Sequence, residues 1–323
     1  MNRKETILKS IKITCGAILA IALAALLGLK YSATAGIITI LSIQNTKRET
    51  LKTALGRTLA FGCALILAWC CYRLFGYTIG AFGMYLLGFS MICLAAGWTA
   101  AIAMDSVLIT HFLAEKAMTP ELAVNELLLF ALGTGIGILL NLHLRPREDE
   151  WKQIMDQADE QIRGVVQRMA VRVRSLDRTD YDGSCFVPLD SLLEEAKKLA
   201  LTNMDNTLRM MSSYELDYVQ MRTAQCQVLK NIYRSIRMIA YLPGQAPAIA
   251  GFFEQVSREY ARTNDVRSLL ADLQGLFDAM RDEELPKNRD EFESRAVLFY
   301  ILKQLEEFLQ LKQMFAVRYP SEK

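Results

Sequence analysis

The sequence predicts an all-α protein in two parts. A six-segment transmembrane helical domain, with one segment short, occupies residues 1–144. A cytoplasmic helical bundle occupies residues 145–323. Three observations predict this. Apolar runs near the ~20 residues a membrane helix needs recur through the first part. Charge is sparse there, with basic residues in excess, and dense after Leu144. Beyond that shift, apolar residues recur at three- and four-residue spacing with no alternating strand pattern.

The first apolar run covers residues 11–29. The basic start (Arg3, Lys4, Lys9, Lys12) and the A-x-A triplet Ala33-Thr34-Ala35 imitate a signal peptide. The run is long for a signal core and more spans follow, so a retained span is expected. Residues 33–45 form the short segment, with only about ten apolar residues. A short segment survives at membrane depth only when protein or a water-filled cavity surrounds it, and such segments often line transport pathways. An ordinary span with polar ends is the other reading. A basic link is expected at 46–57, then segments at 58–75, 78–96 and 97–113, a polar loop at 115–121 and a sixth segment at 122–144. With the N-terminus in the cytoplasm and six crossings, Lys47, Arg48, Lys52, Arg57, Arg145 and Arg147 join the N-terminal bases inside. Only Lys30, Arg73 and Lys116 fall outside, as the positive-inside rule prefers. Both termini are then cytoplasmic.

In the second part, Trp151, Met155, Ala158, Ile162, Val165 and Met169 mark a helix. A loop with the Asp182-Gly183 turn signal is expected at 178–188. Helices are expected at 189–211, 214–242, 248–262, 266–280 and 290–317, the last with the stripe Leu298, Leu302, Leu305 and Leu309. These are amphipathic bundle helices.

The stretch ATAGIITILSIQNTKRETLKTALGR (33–57), with Asn125-Glu126-Leu127, the glycines 133–137 and Asn141-Leu142, resembles the aromatic acid exporter family, related to the fusaric acid resistance proteins. The likeness continues in TDYDGSCFVPLDSLLEEAKKLA (179–200), in Tyr218, Met221, Arg222 and Gln225, and in RAVLFYILKQLEEFLQLKQMF (295–315). It spans nearly the whole chain. The resemblance implies a multi-pass bacterial inner-membrane protein that exports small organic anions, aromatic carboxylates first. Larger relatives are expected to combine two such membrane halves, which implies a homodimer here. The expected partners are therefore the lipid bilayer, a small organic acid substrate and a second copy. With proton motive force as the driver, the leading reading is a secondary exporter. The alternative is a membrane-anchored regulatory or scaffold protein whose bundle binds a partner or ligand.

Ionisable groups inside membrane spans are costly and often functional. Asp105 and His111 on the fifth segment and Glu126 on the sixth are the candidates for proton coupling, because a hairpin could bring His111 to Glu126 and histidine titrates near neutrality. Interfacial or bracing roles remain open for all three. Thr34, Thr39, Ser42, Gln44, Asn45 and Arg57 are the candidates for the substrate pathway. Helix–helix contacts compete for Thr39 and Ser42, and anchoring at anionic headgroups competes for Arg57 and Lys52. Gly133, Gly135 and Gly137 read as close helix packing, and Tyr218 with Arg222 as a core contact or a ligand sensor.

The seven cysteines show no CxxC or Cys–His spacing, so neither a metal nor a disulfide framework is expected. No Walker, H-E-x-x-H, G-x-S-x-G or kinase motif occurs, so no cofactor and no enzyme activity are expected. The near-neutral total charge argues against nucleic acid.

Overall fold

The computed structural model describes residues 3–179, 181–207, 213–261 and 264–320. The ends of the helices expected to reach Met211 and Arg262 lie outside the described residues. Among the described residues there are twelve α-helices and no strand. The chain divides into two compact units, Met1–Pro146 with Asp205–Met210, and Arg147–Met204 with Met211–Lys323.

The first unit holds α1 (Arg3–Leu26), α2 (Ala33–Ser42), α3 (Lys47–Phe75), α4 (Ile79–Ala96), α5 (Thr99–Glu115) and α6 (Pro120–Leu142). Four of these, α1, α3, α4 and α6, are long and apolar enough to cross a membrane. α2 has 10 residues and α5 has 17. At 1.5 Å per residue α2 is about 15 Å long, half of a bilayer core of about 30 Å.

The basic stretch 46–57 is not a link. It is the first part of α3, which runs 29 residues, about 43 Å. The reason lies in Thr46-Lys-Arg-Glu49, a helix start signal: Thr46 Oγ1 accepts from Glu49 N at 3.3 Å. Thr78 and Thr119 start α4 and α6 in the same way, accepting from Ala81 N and Leu122 N, with Pro120 in the first turn of α6.

Two apolar clusters fill this unit. In one, Ala60, Ala64 and Ala68 of α3 present a strip of small residues to Tyr85, Phe89 and Cys93 of α4. In the other, one face of α2 packs on α1 and α6, with Ala35 and Ile38 in a cluster with Ala20, Ala24, Leu129 and Ile136, while Ile37, Ile40 and Leu41 stay exposed on its other face. The approach of α2 to α6 requires glycine. A methyl group at Gly133 would lie 2.6 Å from Ile38 Cβ and 2.7 Å from Ala35 O, and one at Gly137 would lie 2.5 Å from Ser42 Cβ. Gly135, between them, faces open space. Small residues four apart let helix backbones approach in this way.

The second unit holds α7 (Glu148–Val173), α8 (Phe186–Asn206), whose last two residues group with the first unit, α9 (Tyr214–Ile236), α10 (Ala246–Glu259), α11 (Arg267–Arg281) and α12 (Arg289–Arg318). α7 packs on α10, and α9 on α12. A single apolar cluster runs from Trp151 to Leu309 and draws on all six helices. α8 begins before Pro188, since proline is tolerated in a first helical turn, so the expected loop is shorter.

Candidate functional site

Two polar groups lie inside the first unit, among side chains that would otherwise make an apolar core. The first is at the turn between α5 and α6. This hairpin brings His111 to Glu126, with Nδ1 2.6 Å from Oε2. Glu126 is fully buried and His111 nearly so. Asn125 Nδ2 donates to Glu126 Oε1 at 3.0 Å. The far nitrogen of the imidazole, Nε2, lies 3.3 Å from Thr34 Oγ1 on α2. A carboxyl and an imidazole this close can share or exchange one proton, and Thr34 contacts the nitrogen on the far side of the ring.

A lid covers this pair. The ring of Tyr31, in the α1–α2 connection, stacks on His111 at 4.0 Å between centroids and 7° between planes. Tyr31 has φ +60°, a left-handed conformation uncommon for a bulky residue. Its neighbours hold it there. Lys30 N donates to Asn125 Oδ1 at 2.8 Å, and Asn125 Nδ2 donates to Lys30 O at 3.2 Å. Lys30 Nζ pairs with Glu115 at 2.9 Å, and Tyr31 Oη donates to the same carboxylate at 3.2 Å.

The second group centres on Arg57 and Asp105. Arg57 is buried on α3, with Nε donating to Ala100 O at 3.2 Å and Nη1 to Ser42 Oγ at 3.3 Å. Asp105, on α5, is fully buried, and neither carboxylate oxygen has a hydrogen-bond partner among the described residues. Arg57 and Asp105 lie within electrostatic range without forming an ion pair. Tyr85 on α4 lies within electrostatic range of Asp105, and its buried hydroxyl faces that of Ser106 on α5 without a well-formed hydrogen bond.

The remaining expected pathway residues separate. Thr39 is buried with its hydroxyl 2.9 Å from Ala35 O and 3.1 Å from Gly133 O, so it ties α2 to α6. Gln44 is half-buried and turns its amide back to Leu41 O at 3.2 Å. Asn45 is exposed and accepts from Lys9 Nζ at 2.8 Å. Asn141, by contrast, is a buried hub. It accepts from Lys12 Nζ at 2.6 Å and donates to Gln44 O at 2.9 Å and Thr50 Oγ1 at 2.7 Å, joining α1, α3 and α6. Tyr31, Tyr85, Ser106, Asn125 and Asn141 were not among the residues the sequence singled out for a site. The asparagines could have been flagged as polar residues in an apolar helix; Tyr31 carried no such signal.

In the second unit Tyr218 and Arg222 belong to a closed network. Arg222 Nε lies 2.8 Å from Asp159 Oδ1. Tyr218 Oη donates to Asp159 Oδ2 at 2.8 Å and accepts from Arg222 Nη2 at 2.6 Å. Arg222 also donates to Gln225 at 2.8 Å and to the Tyr260 hydroxyl, and Gln225 Nε2 donates to Phe308 O at 2.6 Å. Burial pushes the Tyr218 hydroxyl up from its ordinary range, which keeps it a donor. A small pocket between Tyr181, Tyr233, Cys185 and Arg168 encloses about 20 Å³, room for a water and not for an aromatic acid. No group of three or more metal-ligating side chains occurs among the described residues.

Comparison with known proteins places the chain. Residues 5–144 match the family model "Aromatic acid exporter family member 1", and residues 148–313 match "Putative aromatic acid exporter C-terminal domain". The chain belongs to the aromatic acid exporter family. It is 29% identical over 307 residues to "Uncharacterized protein YqjA" of Bacillus subtilis (strain 168), with 95% of each chain covered. It is also similar to a solved structure described as "Crystal structure of putative membrane protein from Clostridium difficile 630", at 23% identity and a TM-score of 0.46, covering 51% of this chain and 98% of that one. Family membership and the apolar helices indicate a membrane exporter.

Proposed function

We propose that this chain is a bacterial inner-membrane secondary transporter that exports small organic anions, aromatic carboxylates first, at the expense of the proton motive force. One observation carries the reading within the family. Asp105, His111 and Glu126 are all buried inside the apolar first unit, where ionisable groups are costly and mark proton or substrate pathways. Glu126 carries the counter-transported proton in this reading, with His111 as its partner, and Asp105 takes and releases a proton that sets the charge near Arg57. Thr34, Ser42 and Arg57 border the pathway, whose inner mouth lies near Gln44 and Asn45. All six helices of the first unit cross the membrane, the short α2 sheltered by α1 and α6 and tied to α6 through Thr39. The N-terminus and the bundle of residues 145–323 lie in the cytoplasm, and two copies pair as a homodimer.

The test is uptake of labelled aromatic carboxylates into inverted membrane vesicles holding the purified protein, with and without an imposed pH gradient. Gradient-dependent accumulation, lost in Glu126→Gln and Asp105→Asn, is the expected result. No accumulation across a broad panel of acids by folded protein would replace this reading with that of a membrane-anchored scaffold.

A further inference from the structure

The second polar group leaves a charge question that the exporter reading does not answer by itself. Arg57 is buried and permanently charged, yet it forms no ion pair with any carboxylate among the described residues. Its two hydrogen bonds go to neutral acceptors, Ala100 O and Ser42 Oγ, and use two of its five N–H groups. Asp105 lies within electrostatic range of it, with both carboxylate oxygens unpartnered, and Tyr85, whose hydroxyl faces that of Ser106, lies within the same range of Asp105. Buried polar atoms are nearly always paired, by protein, by water or by a ligand. Helices α3, α4 and α5 each contribute to the cluster, and Ser42 adds the end of α2.

We propose that Arg57, Tyr85 and Ser106 form the seat of the transported anion, with Arg57 taking its carboxylate and the two hydroxyls donating to it. The proposal rests on the exporter reading for the identity of the anion, but binding at the seat is testable without transport. Guanidinium is the side chain suited to bidentate recognition of a carboxylate, and free N–H groups are what such recognition uses. The ring of Phe89 on α4 stacks on Tyr85 with centroids 5.4 Å apart, so apolar aromatic surface adjoins the Tyr85 hydroxyl.

Asp105 has a different part. A carboxylate bound to Arg57 is repelled by an ionised Asp105 and tolerates a protonated one, so anion loading and protonation of Asp105 favour each other. A proton moving against the anion cannot be the one that assists its binding. That assigns the counter-transported proton to the His111–Glu126 pair, and leaves Asp105 to set the charge beside the anion.

The experiment is equilibrium binding of radiolabelled benzoate to the full chain in detergent or nanodiscs, with monodispersity on size exclusion as the folding control. Wild type is expected to bind saturably. Arg57→Gln should weaken binding at least tenfold, and Arg57→Lys should restore part of the loss. Tyr85→Phe and Ser106→Ala should each weaken it several-fold. Asp105→Asn should tighten it several-fold, an effect that a merely structural role would not produce. The proposal is overturned by folded wild type with no saturable binding, by wild-type affinity in Arg57→Gln, or by weakened binding in Asp105→Asn. Binding as described with no transport in vesicles would refute the exporter reading and leave the seat. Transport unaffected by Arg57→Gln would do the reverse.

Discussion

Asp105 combines full burial with two unpaired carboxylate oxygens. Leaving a buried polar group unpaired costs about 1–3 kcal/mol, and more when it is charged. A residue kept at such a cost trades stability for function. Asp105→Asn is therefore expected to raise the thermal midpoint of the purified protein while abolishing export; a lowered midpoint would mean that Asp105 braces the helices instead. The opposite sign is expected in the second unit. Asp159 and Arg222 are a buried pair whose remaining atoms are bonded to tyrosines and Gln225. Removing one partner of such a pair leaves an uncompensated buried charge at a cost of about 3–5 kcal/mol. Asp159→Leu should show that loss in denaturant unfolding, and a change within about 0.5 kcal/mol, the usual range for surface substitutions, would contradict the network's role. Tyr31 is expected to shield His111. Diethylpyrocarbonate should modify exposed His143 in wild type and both histidines in Tyr31→Ala; equal protection of His111 in the variant would exclude a lid.

At the scale of elements, the contact between α2 and α6 is the tightest constraint on the first unit. Gly133→Val would force side-chain methyls against Ile38 and Ala35 O. Overpacking of this kind costs about 1–3 kcal/mol. Gly135→Val, facing open space, should cost only the difference in helix propensity, which favours neither strongly. Melting of the two variants side by side distinguishes them, and equal losses would contradict the packing account. The apolar run around Gly133, Gly135 and Gly137 predicts close packing for all three; it holds for 133 and 137, which stand four apart on one face, and not for 135, which turns to open space. The short α2 was legible from its length. The start of α3 is legible in Thr46–Glu49, but the basic residues at 47, 48, 52 and 57 resemble a membrane-edge loop and so predict a link. The same pattern suggests a headgroup anchor for Arg57, whereas its guanidinium turns inward to Ser42 and Ala100. The approach of Asp159 to Arg222 was not legible, since the two are 63 residues apart and helix periodicity says nothing about which helices meet. Tyr31 was not legible either, because an aromatic residue in a short connection has no periodic context.

For the whole molecule, the proposed exchange moves organic anions outward while protons enter through the His111–Glu126 pair. An inside-negative potential favours that exchange, since each charge moved across 100 mV is worth about 2.3 kcal/mol. The second unit answers to pH differently. Burial pushes the Cys226 thiol up to about 12, above an ordinary value near 8.5. The folded bundle therefore holds that proton more tightly than the unfolded chain. The stability this contributes is complete below about pH 8.5 and is lost as pH rises toward 12. Cys226→Ala should flatten that alkaline decline in unfolding measurements, and an unchanged slope would assign it to the buried tyrosines. This exchange is tested in proteoliposomes enclosing a pH-sensitive dye, with a benzoate gradient imposed as the sole driving force. Proton movement opposite to benzoate is expected in wild type and none in Glu126→Gln, with the variant folded and still able to bind benzoate. Benzoate flux without proton movement in wild type, or undiminished proton movement in Glu126→Gln, would contradict it.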